Sequence, residues 1–186
     1  MKLYYTVSSG YLQPQANFIN SLGGYPSSTP VPNDVFGNLF DEISISEIRE
    51  AKTQYRAVIL HNDSQEIASK VELWFEALSE DIVSEFQIGA TMLTVDGDTQ
   101  YMESIDTSYS KPFYTQLYSA TVDNKVSVGD MVPNQMIGIW ISRKINKEKA
   151  VEDYNNVAER DLSTQSRYKP IEKIKEEGVN LQISWQ

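Results

Sequence analysis

"QYRAVILH", residues 54–61, alternates Tyr55, Ala57 and Ile59 with Arg56, Val58 and Leu60 before stopping at "HNDS". A period of two reads as a β-strand, and some of the strands in this chain read as buried on both faces. Asn62 and Asp63 end it, because their side chains hydrogen-bond nearby backbone and tolerate turn dihedrals.

The same pattern recurs outward from this strand. In "KVELWFEA" (70–77), Val71, Leu73 and Phe75 share one face, and Glu72, Trp74 and Glu76 the other. "VSEFQIGATMLTV" (83–95) sets Phe86, Ile88 and Ala90 against Glu85, Gln87 and Gly89. The Asp-Gly pair of "DGDTQ" then makes a tight turn, with "TQYMESI" as the returning hairpin partner. "KPFYTQLYSA" (111–120) reads as a further strand with Pro112 confined to its start, and "QMIGIWISRKI" (135–145) carries the row Ile137, Ile139, Ile141. "KLYYTV" (2–7) opens the series, "VSVGDMVPNQ" reads as a loop or short edge strand, and "ISEIREAKTQ" as one short helix.

Six or more strands at this spacing predict an all-β protein, an antiparallel immunoglobulin-like β-sandwich with extended N-terminal and C-terminal arms. The expected division is an N-terminal strand and extended arm over 1–33, the β-sandwich domain over 34–146, and a charged C-terminal arm over 147–186 that ends in a strand. Residues 8–33 are rich in Gly, Pro, Ser and Asn. Residues 147–186 carry fifteen charged side chains, too many for a core of their own. The closing "VNLQISW" nevertheless alternates Val179, Leu181, Ile183 and Trp185, and such a strand needs a sheet edge in its own chain or a neighbour's.

Composition narrows the chemistry. With 186 residues and 40% hydrophobic content the chain suits one domain with an appendage. A net charge of −10 repels phosphate backbones, so direct nucleic-acid binding is not expected. The absence of cysteine excludes disulfides, thiolate nucleophiles and Cys-ligated metals. No apolar run approaches the roughly 20 residues of a membrane-spanning helix, and the N-terminus lacks a signal-peptide core, so a soluble protein without a membrane partner is expected.

The single histidine, His61, sits at the end of a strand beside Asn62 and Asp63 and reads as a turn residue rather than a catalytic one. Asp96, Asp98 and Glu103 cluster around "DGDTQYMES" without the spacing of a calcium loop, so a hairpin is the better reading. Asp41, Glu42, Glu47 and Glu50 could supply a glycosidase pair, but nothing in the sequence sets their separation across a cleft. Gly23-Gly24 has no Lys-Ser/Thr after it and is no phosphate loop. Catalytic, cofactor and metal residues are therefore all expected to be none. Three tryptophans and eleven tyrosines keep a carbohydrate-binding or host-recognition module in view, although Trp74 and Trp140 lie in strand patterns where aromatics usually pack.

Pro26, Pro30 and Pro32 stiffen "GYPSSTPVPNDVFGNLFDEIS" (24–44) into an extended segment. Phe36, Leu39 and Phe40 are its expected apolar anchors. With Leu181, Ile183 and Trp185 of the C-terminal strand they form the expected assembly contacts.

Four segments resemble a family of tailed-bacteriophage virion proteins: Ser21–Gly24 with Ser27 and Ser28, Asn38–Ser44, Tyr55 and Arg56 with Asn62, and Gly138–Trp140 with Arg143. The character looks most like members from the crAss-like phages of gut bacteria, over about residues 20–145. The resemblance implies a non-enzymatic structural component of the virion, made in the host bacterial cytoplasm and assembling as a symmetric oligomer. Its implied place is a neck or tail ring or a connector-associated position, with the capsid surface as the lesser choice. The implied partners are further copies of the chain and other phage structural proteins such as portal, neck or tail proteins.

Overall fold

The computed structural model describes residues 1–32, 38–41, 43–77, 84–150, 173–174 and 179–186. The protein is all-β and antiparallel. Its strands are β1 (Lys2–Val7), β2 (Gly23–Pro30), β3 (Ile43–Ser44), β4 (Thr53–His61), β5 (Ala68–Ala77), β6 (Ser84–Met92), β7 (Thr94–Asp96), β8 (Thr99–Ser104), β9 (Val126–Met131), β10 (Met136–Ile145), β11 (Lys173–Ile174) and β12 (Val179–Ser184). One short helix, α1 (Ile45–Glu50), lies between β3 and β4.

The main sheet runs β6-β10-β4-β1-β2-β8-β7. Its two terminal members are consecutive in the chain and separated only by Leu93. The sheet must therefore curl back on itself, one bent strand serving β10 through β6 and β8 through β7. Inside the curl lie Tyr55, Ala57, Ile59, Leu93, Met102 and Trp140. Gly138 makes room there, since a side chain at that position would press on Met102.

The outer face of β4, β10 and β6 is covered by a second sheet, β12-β5-β9. Val58, Leu60, Ile88, Ile137, Ile139 and Ile141 meet Ala68, Val71, Leu73 and Met131 across the interface. Strand β4 thus feeds two cores, one from each parity, which is why "AVIL" shows no polar face. Removing these side chains from water is the main stabilising term, at about 25 cal/mol per Å² of apolar surface. A small third cluster of Ile43, Ile48, Ile145 and Ala150 seats α1.

Several expectations need revision. Residues 23–30, within the expected arm, form β2 inside the main sheet, paired with β1 and β8. Pro26 and Pro30 lie opposite Thr6 and Tyr4 of β1, while on the other flank β8 pairs only with Gly23 and Gly24, so no β8 ladder bond is lost at either proline. Residues 111–120 are not a strand. Phe113 and Tyr114 both face solvent, and the segment's one bridge to the sheet is that between Tyr118 and Ile88, beside separate hydrogen bonds to Glu103 and from the Phe75 N–H to the Ala120 carbonyl. Alternation fails at that Phe-Tyr pair, and Pro112 supplies no donor. The "VSVGDM" stretch is the edge strand β9, the Asp-Gly hairpin joins β7 to β8, and the short helix is α1. No helix among the described residues is long and apolar enough to cross a membrane.

Candidate functional site

The row Ile137-Ile139-Ile141 continues to Arg143, and the row Leu60-Val58 continues to Arg56 and Gln54, all toward one end of the outer face. Arg143 lies opposite Gln54 in the ladder, and Arg56 opposite Ile141. Both arginines are almost wholly buried. Phe40 covers them, with the Arg143 and Arg56 guanidinium carbons 4.9 and 5.6 Å from its ring centre. Such cation–π contacts compensate part of the lost hydration.

Arg143 donates to the Asp41 carbonyl at 2.7 Å and to Gln54 Oε1 at 2.5 Å. Gln54 in turn donates to Glu47 Oε1 at 2.6 Å. Glu47 belongs to the capping box of α1: its Oε2 accepts the Ser44 N–H at 2.8 Å, and the Ser44 hydroxyl caps the Glu47 N–H. Tyr109 Oη reaches Glu47 Oε1 at 3.3 Å. Burial alone pushes the Glu47 carboxyl upward, but the Ser44 bonds together with Arg143 and Tyr109 outweigh it and hold the group below its ordinary value. Arg56 is held less basic than usual, chiefly by burial. Between Asp41, Ser44, Glu47, Arg56, Ser108 and Tyr109 lies an open cleft of about 570 Å³.

A second feature faces solvent. The Glu103 carboxylate accepts the backbone N–H groups of Phe113 at 2.6 Å and Tyr114 at 3.0 Å. The two rings, 83% and 81% exposed, meet edge to face at 5.0 Å. Glu103 therefore organises an aromatic corner and is not turned toward Asp96 or Asp98. Among the described residues no three of His, Asp and Glu gather as a metal site.

The other singled-out residues fall as follows. Leu39 and Phe40 are half-buried against the protein's own outer-face core, as are Leu181 and Ile183. Trp185 is half-exposed beyond β12, and Phe36 lies outside the described residues. Trp140 is fully buried and cannot stack on a sugar; Trp74 is partly buried beneath Lys125, whose Nζ sits 4.4 Å from its ring centre. His61 ends β4 with its ring against Tyr4. Asp41 and Glu47 do meet in one cleft, Glu50 instead pairs with Lys52, and Glu42 lies outside the described residues.

The segments that suggested a family are the fold's internal ties. Ser21 bonds β1 and β4, Asn38–Asp41 covers the arginines, and Asn62 Nδ2 donates to the carbonyls of Glu66, Met131 and Val132. What the sequence reading missed was the pair of buried arginines, although each continues an apolar period-two row onto the core face. Compared with protein-family models, curated proteins and solved structures, the chain matches none.

Proposed function

We propose that the protein is a non-enzymatic structural component of a tailed-phage virion that assembles as a symmetric oligomer at the neck or tail. The supporting observation is the way its polar groups are spent. Arg143, Gln54, Glu47, Ser44, Ser21 and Asn62 brace one strand or loop against another. Apolar groups meanwhile remain at the surface, in the corner of Phe113 and Tyr114 and at Trp185 beyond the edge strand β12. A rigid acidic body with such groups outside suits lateral contact with copies of itself and with portal, neck or tail proteins. In the same reading the packing of β12-β5-β9 over the main sheet is the two-layer part of an immunoglobulin-like sandwich, and the finished protein resides in the virion.

Size-exclusion chromatography with light scattering of the full chain tests this. A discrete oligomer that dissociates on Trp185→Ser or Phe113→Ser is the expected result. A strictly monomeric protein at high concentration, absent from purified particles by mass spectrometry, overturns it.

The aromatic corner also favours a second reading, a carbohydrate-binding or host-recognition module. Its platform is then Phe113 and Tyr114 rather than a tryptophan, held open by Glu103. Glycan-array binding lost on Tyr114→Ala would select this reading over the first.

A further inference from the structure

Arg56 carries a buried charge to which the described residues offer no ion pair. Its side chain is 1% exposed, and Nη1 donates to the Tyr55 carbonyl at 2.9 Å. Nε is buried with no hydrogen-bond partner among the described residues. Nor does any described carboxylate stand within ion-pair distance of this guanidinium. Asp41 is the strongest opposing charge but acts from beyond ion-pair range, and Glu47, weaker still, has its oxygens taken by Ser44, Gln54 and Tyr109. Arg143 beside it adds repulsion rather than relief. Ser84 Oγ, Thr115 Oγ1 and Trp140 Nε1, also buried without a partner among the described residues, are neutral groups. A guanidinium buried without its counter-ion is far costlier than those.

The same residue lines the 570 Å³ cleft, a volume suited to a small ligand or a few residues of a peptide. We propose that the cleft binds a singly charged carboxylate, held by the Arg56 guanidinium and flanked by the Ser108 and Tyr109 hydroxyls. The planar fork of arginine matches a carboxylate in geometry. Asp41 and Glu47 share the cleft, and the chain carries −10 overall, so a multiply charged anion such as phosphate is repelled more strongly than a monoanion. The carboxylate belongs either to a free organic acid or to an acidic side chain of another polypeptide. This site does not depend on the assembly role proposed above.

The test follows the Nε–H resonance of Arg56 in the full chain labelled with ¹⁵N-arginine, identified by its loss in Arg56→Lys. Sodium acetate, an N-acetylated glutamate-containing peptide amide, sodium phosphate and sodium chloride are titrated at matched ionic strength. The expected result is a saturable shift with acetate or the peptide at lower concentration than with phosphate, and none with chloride. Tighter binding of acetate indicates a free acid, and tighter binding of the peptide indicates a protein carboxylate. Because Arg56→Lys can compromise folding, Asp41→Asn is the second arm. It removes an exposed like charge at the cleft, so acetate should bind it several-fold more tightly. A resonance unmoved by either carboxylate, a shift equalled by chloride, or unchanged acetate binding in Asp41→Asn overturns the proposal.

Discussion

Ser21 answers both backbone groups of Ala57: its carbonyl accepts the Ala57 N–H at 2.8 Å, and its Oγ donates to the Ala57 carbonyl at 2.6 Å. β1 pairs with β4 only as far as Tyr5 opposite Val58, so Ser21 stands in for the missing strand residue. Its Oγ also accepts the Thr6 N–H at 2.8 Å. Ser21→Ala strands two buried backbone groups and should cost about 1–3 kcal/mol in urea unfolding. A loss below the error of that measurement would mean that water replaces the hydroxyl.

Asn62 gives a sharper comparison. Its amide points at three carbonyls, those of Glu66, Met131 and Val132. Asn62→Ala removes the donors, whereas Asn62→Asp aims an anion at the same carbonyls at neutral pH. The aspartate variant should be the less stable of the two, by about 1 kcal/mol or more. The opposite order of melting temperatures would contradict the donor assignment.

Phe40 should act through its ring face as well as its bulk. Phe40→Leu keeps most of the apolar volume but removes the contact with Arg56 and Arg143. It is expected to lose about 1–2 kcal/mol, while Phe40→Ala loses more through the added cavity. Equal melting of Phe40→Leu and the parent protein would reduce Phe40 to a simple cover.

Acid should destabilise the fold through several groups at once. Asp63 is held well below its ordinary carboxyl range by hydrogen bonds from Lys2 and the Met1 amino group, Glu47 is held low by its hydrogen bonds despite burial, and burial lowers His61. For each, the folded state binds its proton less readily than the unfolded chain. The stabilisation is therefore present above the unfolded values of 6.5 for His61, 4.5 for Glu47 and 3.8 for Asp63, and is lost as pH falls through the lower folded values. Urea midpoints should decline on acidification, with a shallower decline in Glu47→Gln. A midpoint that rises between pH 6 and 4 would refute the sign.

Two glycines separate strain from space. Gly23 has φ +88°, and a methyl there would collide with the Glu103 carbonyl; Gly97 has φ +57° in the β7–β8 turn with nothing nearby. Gly23→Ala should cost more than about 2 kcal/mol and Gly97→Ala about 1 kcal/mol. Similar losses at the two sites would show that the β2–β8 contact is loose.

The strand content was legible because β4, β5, β6 and β10 carry unbroken period-two rows. Less legible was where those rows change character. Arg56 follows Val58 and Leu60 onto the same face, and Arg143 follows three isoleucines, so parity alone places both charges against the core. Reading arginine as a solvent residue hides that placement. The arm at 23–30 misled for a different reason: proline argues against a central strand, yet β2 is central in order while pairing with β8 at only two residues. Tertiary context also decided residues 111–120, where the chain follows the β6 edge through a single bridge. The aromatic corner depends on Glu103, ten residues upstream of Phe113, a pairing that no local pattern announces.

The closure of the main sheet also governs how the protein is made. Strand β10 sits between β4 and β6, although both precede it in the chain, and β6 runs into β7 only after leaving that slot. Until residue 145 clears the ribosome, β4 and β6 each present an unpaired flank that nothing earlier in the chain can fill. The nascent chain therefore carries both flanks open until β10 arrives, and the second sheet is completed later still, when β12 joins β5. Long-range pairing of this kind makes slow folding and a need for chaperone protection the expected behaviour.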